Sequence, residues 1–399
     1  MIKKALILFS LCAICLWGEE PQVLYLTWRG DPSTTMTVMW HTDDGQDTSI
    51  IQYQREGEAT WHHAEGRAKP LLKSSVTVHQ VELTGLNENT DYFFRISDGE
   101  IHRFRTLPNG LNRPLKVVIG GDAYMTPEPF TKMNKEVASK DPDFVILTGD
   151  IAYSEGLRCA LKTLRWKIER WEEFFRIWTR DMVTKEGRII PIVPVIGNHD
   201  VLEGFDDPFK KEVLFYEVFT FPHEGIPFRL MRIGKDLCFY LLDSGHTFPV
   251  AGSQAEWLEK SLVGNQQALF HIPAYHMAAY PTVTAFSHRS SRDIRKFWCP
   301  LFERYGVKIS MEHDNHAFKR TFPIREEKVT PGGVIYLGDG AWGVPPEKPH
   351  RHWYLYKSAQ INSYWLLTID RERCLCEAYN NDGELLDKLE VLPHHKAPL

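Results

Sequence analysis

A chain of 399 residues with 25% charged and 43% hydrophobic side chains is long enough for two hydrophobic cores and too apolar to be disordered or fibrous. A formal net charge of −5, from 52 acidic against 47 basic residues, gives no net basic footprint for duplex nucleic acid, so none is expected as a partner. Beyond the N-terminal leader no apolar run reaches membrane-spanning length, and no transmembrane segment is expected.

At the start, Lys3 and Lys4 precede an apolar run from Ala5 to Trp17, followed by Gly18-Glu19-Glu20. A short basic start, an apolar stretch too short to span and an acidic continuation predict a removable secretory signal peptide over residues 1–18. The protein is then exported, periplasmic or extracellular. Losing Cys12 and Cys15 with the leader leaves five of the seven cysteines, an odd number with no CxxC spacing, which reads as buried thiols. A bridge from Cys299 to Cys159 or Cys238 stays open, as does the oligomeric state.

Residues 22–108 read as all-β. Val23 to Trp28, Met36 to His41, Ser49 to Arg55, Ser75 to Leu83 and Tyr92 to Ser97 are short strand-like runs between Gly, Asp and Asn clusters, the grammar of a β-sandwich. Tyr92 follows a turn and opens a strand, where its hydroxyl can tie back to upstream backbone as a tyrosine corner. This segment resembles a fibronectin type III domain. Pro108-Asn109-Gly110-Leu111-Asn112-Arg113-Pro114 breaks regular structure and reads as a linker.

Over residues 114–370 apolar strands alternate with helical stretches, the pattern of an α/β domain whose sheets are covered on both faces. Leu157, Leu161, Leu164, Ile168, Trp171, Phe175 and Trp178 recur at spacings of three and four and share one helical face turned to the core. Residues 371–399 read as closing strands, with Cys374 to Tyr379 and Leu385 to Leu392 joined by an Asn381-Asp382-Gly383 turn.

Five strands run directly into polar residues able to bind metal. The first ends in Gly121-Asp122, the second in Gly149-Asp150-Ile151-Ala152-Tyr153 and the third in Gly197-Asn198-His199-Asp200. Later ones end in His271-Ile272-Pro273 and in Glu312-His313-Asp314-Asn315-His316. The carboxyl ends of parallel strands share one rim, so ligands far apart in sequence can meet there. Two Asp, a Tyr, an Asn and several His exceed the needs of one ion and point to two.

Gly-Asp, Gly-Asp-x-x-Tyr, Gly-Asn-His-Asp, a strand-end His and a final His-Ala-Phe-Lys-Arg resemble the purple acid phosphatase branch of the calcineurin-like metallophosphoesterases, over most of Leu115 to Gly343. The resemblance implies an N-terminal β-sandwich followed by a two-sheet α/β domain flanked by helices. It implies Fe(III) held by Asp122, Asp150, Tyr153 and His316, and a second divalent ion (Fe, Mn, Zn or Mg) held by Asp150, Asn198, His271 and a residue of the last motif. In that motif the family's Gly-His-x-His is replaced: counting back from His316, position 314 is Asp. Because residues two apart on an extended backbone point the same way, Asp314 is assigned as the ligand with His313 in reserve, a change that favours manganese, magnesium or ferrous iron over zinc. The implied chemistry is hydrolysis of phosphate monoesters by metal-activated hydroxide, with an acidic optimum. His199 would protonate the leaving group, Asp200 would orient its ring, and His276 and His288 would touch the phosphate of a small ester substrate. A phosphodiesterase or nucleotide hydrolase, and a non-catalytic surface-binding protein with a degenerate metal site, remain as alternatives. Tyr124, where the family has Gly, either narrows the pocket mouth or packs.

Overall fold

The computed structural model describes residues 21–43, 48–71, 74–155, 164–201, 214–338 and 340–394. The leader read over residues 1–18 lies outside them, as do Leu157, Cys159, Leu161 and Asp339.

Two four-stranded antiparallel sheets form the N-terminal sandwich. One runs in the order Val23–Thr27, Met36–Thr42, Thr77–Leu83, Arg67–Pro70; the other is His62–Glu65, Ile50–Arg55, Asp91–Ile96, His102–Arg105. Three of these strands, His62–Glu65, Arg67–Pro70 and His102–Arg105, have no counterpart in the sequence reading. They sit at sheet edges and are largely polar, so they lack the apolar alternation that marks a strand. The tyrosine corner forms: the Asn87 backbone N–H donates to the Tyr92 hydroxyl at 2.8 Å. Tyr92→Phe is therefore expected to lower stability by about 1 kcal/mol, the net value of one such bond, read as a shift in the urea midpoint at unchanged slope.

The second domain stacks two mixed sheets face to face. In the first, parallel strands Ile192–Val195, Phe144–Thr148 and Leu115–Gly120 continue into antiparallel Ser363–Ile369, Cys374–Asn380 and Leu385–Val391, so the closing strands belong to the same sheet as the first motifs. The second runs Arg229–Ile233, Leu237–Leu241, Phe270–Tyr275, Ile309–Glu312, Ile335–Gly338, Phe318–Thr321, Leu355–Ala359, with the middle four strands from Leu237 to Gly338 parallel.

Strand alternation sorts the side chains into layers. Leu237, Phe239 and Leu241 join Val117, Ile119, Ile146 and Val193 between the sheets. Cys238 and Tyr240 face outward, under Leu258, Leu262, Ile294 and Trp298 of the helices Ser253–Gly264 and Arg289–Phe297 with its C-terminal flank. Val118, Val145 and Leu147 on the other outer face lie under the helices Pro127–Ser139 and Leu164–Asp181, where Ile168, Trp171, Phe175 and Trp178 are buried as their spacing predicts. Cys238, Cys299, Cys374 and Cys376 are buried free thiols. Among the described residues no helix is long and apolar enough to cross a membrane.

The sandwich is docked onto this domain. Leu24 exchanges backbone bonds with the Thr179 hydroxyl at 2.9 and 3.0 Å, Trp28 meets Phe144 edge-on at 5.6 Å, and His41 Nδ1 reaches Glu172 Oε1 at 2.5 Å inside the interface. Tyr25 stacks on Phe175 at 4.1 Å, so one apolar core runs through both units.

Candidate metal centre

Parallel strands from both sheets end at one rim. Leu115–Gly120 delivers Asp122, Phe144–Thr148 delivers Asp150 and Tyr153, and Ile192–Val195 delivers Asn198 and His199; Phe270–Tyr275 and Ile309–Glu312 from the facing sheet deliver His276, Asp314 and His316. The loops are stitched together by backbone bonds from Asp122 N–H to Gly149 O (3.1 Å) and Ala123 N–H to Asp150 O (3.0 Å). Close approach depends on glycine at two points. A Cβ on Gly149, which has φ +87°, would lie 2.6 Å from the His276 ring, and one on Gly197 would lie 2.2 Å from the Asp150 nitrogen.

Backbone strain concentrates here. Of ten non-glycine residues with positive φ among the described residues, five are Asp122 (55°), Asp150 (52°), Tyr153 (50°), Asp314 (70°) and His316 (33°). Such conformations cost energy and persist where the surroundings over-determine them, as at ligand sites.

The side chains gather in two corners that share the buried carboxylates. In one, the Tyr153 hydroxyl donates to Asp122 Oδ1 at 2.9 Å and lies 2.9 Å from His316 Nε2, itself 3.1 Å from Asp122 Oδ1. In the other, His276 Nδ1 donates to the Thr148 carbonyl at 2.8 Å, which turns Nε2 inward. That nitrogen lies 3.1 Å from Asn198 Oδ1, 3.3 Å from Asp150 Oδ1 and 3.8 Å from Asp314 Oδ1. Ligand atoms of Asp122, Asp150 and His276 all fall within 4.8 Å of one another.

These distances amount to a demand for positive charge. With Nδ1–H spent on a carbonyl, an inward lone pair on His276 would face three oxygens that can only accept, unless a proton or a metal ion stands between them. Burial alone would keep His276 neutral, but Asp150, Asp122 and Asp314 outweigh it and hold the imidazole well above its usual range. Burial opposes the charge on His316 as well, yet Asp122 lifts it to about 9. Desolvation, with Asp122 and Asp150 at its side, pushes the Tyr153 phenol well above its usual range. Desolvation, reinforced by Asp122 and Asp150, raises Asp314 to about 6 against the pull of His276. The donor set fits metal: cations would relieve the crowding that protons relieve in their absence.

Two sequence expectations are corrected by position. His271 is not at the rim. The strand does not stop before it but continues through Pro273 to Tyr275, and His271 faces the helix-covered side, its Nδ1 2.9 Å from the Tyr240 hydroxyl, where burial lowers it to about 4. His276, expected against substrate phosphate, takes the strand-end place instead. Asp200 does not orient the His199 ring either. In the short turn Asn198–Asp200 its carboxylate folds back to accept the N–H groups of Ile151 and Gly197, both at 2.9 Å. The Glu155 carbonyl holds His199 Nδ1 at 2.9 Å, and Tyr153 stacks on the ring at 4.7 Å.

Asp314 and His313 separate cleanly: Asp314 faces His276, while His313 lies behind the site with its Nδ1 on the Thr148 hydroxyl. His288 is exposed at the start of the helix Arg289–Phe297 and makes no hydrogen bond to the cluster among the described residues. Tyr124 packs. It lies against Phe130 with the Arg170 guanidinium 4.4 Å over its ring. Tyr275, Tyr280 and Trp342 are core, and Asp243 binds the N–H groups of its own turn at residues 245–248.

The family model described as calcineurin-like phosphoesterase matches residues 110–311, and the one described as the purple acid phosphatase N-terminal domain matches residues 21–106. The chain belongs to the calcineurin-like phosphoesterase family and is a phosphoester hydrolase of that class. It is 23% identical to purple acid phosphatase 15 of Arabidopsis thaliana, over 81% of this chain and 68% of that one. It is 25% identical to an uncharacterized protein of Mycobacterium tuberculosis over 76% of this chain, spanning 62% of that relative, less than two thirds of its length. The solved purple acid phosphatase PPD1 from yellow lupin seeds shares the fold, with a TM-score of 0.73 over 92% of this chain and 74% of that one at 16% identity. Within the family the chain is purple acid phosphatase-like.

Proposed function

We propose that the protein is an exported, binuclear acid phosphatase that hydrolyses phosphate monoesters. The observation that carries this reading is the convergence of three carboxylates, a phenol, an amide oxygen and two imidazoles on one rim with their acceptor atoms turned toward each other. Asp122, Asp150, Tyr153 and His316 would hold ferric iron, and Asp150, Asn198, His276 and Asp314 the divalent ion. Tyr153 keeps its proton in a site this acidic and yields it only to a strongly charged cation, which suits the trivalent ion at that corner. Three oxygen ligands to one imidazole nitrogen make the other corner better matched to Mn²⁺, Mg²⁺ or ferrous iron than to Zn²⁺. When bound, such a pair polarises phosphoryl oxygens and supplies a nucleophile at low pH. Export rests on the leader read over residues 1–18.

His199 would serve the leaving group. With Nδ1–H engaged by Glu155 O, its Nε2, 3.8 Å from Asp150 Oδ2, is free to carry a proton toward the cleft. Asp200 keeps the loop in place by fastening Ile151 and Gly197. His199→Ala is expected to reduce kcat on para-nitrophenyl phosphate at least about 10²-fold, the usual contribution of a general acid, with metal content retained. The reading as a whole is tested by elemental analysis and a pH profile on para-nitrophenyl phosphate beside its bis ester. Two metals, a visible phenolate band lost in Tyr153→Phe, and preference for the monoester support it. Preference for the bis ester makes the protein a phosphodiesterase, and absence of iron removes the ferric assignment.

A further inference from the structure

Asn315 stands between Asp314 and His316 and is buried, and its amide is fully engaged. Oδ1 accepts the backbone N–H groups of Thr282 (2.8 Å), Val283 (2.8 Å) and Thr284 (3.2 Å), with the Thr284 hydroxyl at 3.3 Å. Three N–H donors fix which amide atom is the oxygen. Nδ2 must then point the other way, where it donates to Asp314 Oδ2 at 2.6 Å and approaches the Thr284 hydroxyl at 3.3 Å.

This single amide ties the loop that follows His276 to the loop that carries Asp314. It also sets the carboxylate: Oδ2 of Asp314 is occupied, and Oδ1 is the oxygen left 3.8 Å from His276 Nε2. The Asp314 N–H, bonded to Asp122 Oδ2 at 3.1 Å, holds the backbone of the same residue in its left-handed conformation. An unsupported aspartate has free rotation about two side-chain bonds, so ligand affinity depends on what holds it.

We propose that Asn315 is the positioning residue of the divalent-ion corner, presenting one oxygen of Asp314 to the ion by binding the other. The proposal rests on the binuclear reading above. The two roles of the amide can be separated chemically. Anchoring the Thr282–Thr284 N–H groups needs only an acceptor, which an aspartate supplies; holding Asp314 needs a donor, which an aspartate lacks and replaces with like charge.

Asn315→Asp in the full-length, iron-loaded protein is therefore expected to fold with its loop anchor kept, at a melting temperature lowered by the like charge beside Asp314, and to retain the visible phenolate band. Its affinity for Mn²⁺, measured by direct titration, should fall about 10- to 100-fold, the usual cost of losing a partner to a metal ligand. Should that variant not fold, Asn315→Ala carries the same expectation for Mn²⁺ and the band, with a lowered melting temperature from the lost loop anchor. A variant that folds and binds Mn²⁺ with wild-type affinity overturns the positioning role alone. Wild-type protein that binds iron but no Mn²⁺ or other second ion overturns the binuclear reading, and this inference with it.

Discussion

Asp150→Asn is expected to lose both metals and to lower kcat/KM on a phosphate monoester about 10³-fold or more, equivalent to roughly 4 kcal/mol of charge stabilisation at the reacting phosphoryl group. Asp150 stands between the two corners: its ligand atom and those of Asp122 and His276 all lie within 4.8 Å of one another. Its Oδ1 accepts the His199 N–H at 2.7 Å and lies 3.3 Å from His276 Nε2, and its Oδ2 lies 3.8 Å from His199 Nε2. Burial disfavours its charge, but His276 and His199 more than compensate and hold the carboxyl well below the usual range, so it is an anion at any working pH. An asparagine keeps the size and can still accept from His199 N–H, so the loop Asn198–Asp200 should stay in place. What disappears is the negative charge that both corners share. His276 and His316 would also lose part of the field that favours their cationic state, a second readout available by following imidazole titration without metal. A variant that retains two equivalents of metal and more than a tenth of the wild-type rate would show that the centre lies elsewhere.

The sequence made this rim legible where strand, glycine and ligand follow one another directly. Gly121-Asp122, Gly149-Asp150 and Gly197-Asn198 each end an apolar run, and each of the three reaches the site. It misled at His271 because a histidine followed two residues later by proline looks like the end of a strand. Proline costs a strand one ladder N–H and is confined to positions where that donor has no partner; Pro273 pairs in register with Tyr240 on one side, pairing with Ile309–Glu312 on the other begins only at Ala274, and the strand continues to Tyr275. Alternation would have settled the point: Phe270, Ile272 and Ala274 face the inter-sheet core, so His271 and Tyr275 face the helices and only His276 clears the strand end. Asp200 and Asn315 were illegible for another reason. Their fixing partners include backbone N–H groups of other loops, Ile151 for Asp200 and Thr282 to Thr284 for Asn315, and backbone donors carry no sequence signature.

The same illegibility hides a buried ion pair, and removing half of it should produce the largest loss of stability. Glu312→Leu is expected to cost about 3–5 kcal/mol, a fall in melting temperature on the order of 10 °C. Glu312 ends its strand immediately before the ligand loop. It accepts the N–H groups of Ala279 (2.7 Å) and Tyr280 (3.1 Å) and the hydroxyl of Tyr275 (3.0 Å), and pairs with Lys319. Lys319 Nζ also donates to the Tyr280 carbonyl at 2.6 Å. Both side chains are buried, so leucine at 312 would strand an ammonium away from water with one carbonyl for company and leave two backbone N–H groups without their acceptor. Lys319→Met should cost less, because Glu312 would keep its three neutral donors. The double variant should recover part of the loss of Glu312→Leu, since removing both charges removes the desolvation penalty along with the attraction. Thermal melts of the three variants decide it. Equal losses in the two single variants, with the double variant at their sum, would mean that the charges act independently and that the pair contributes nothing beyond packing.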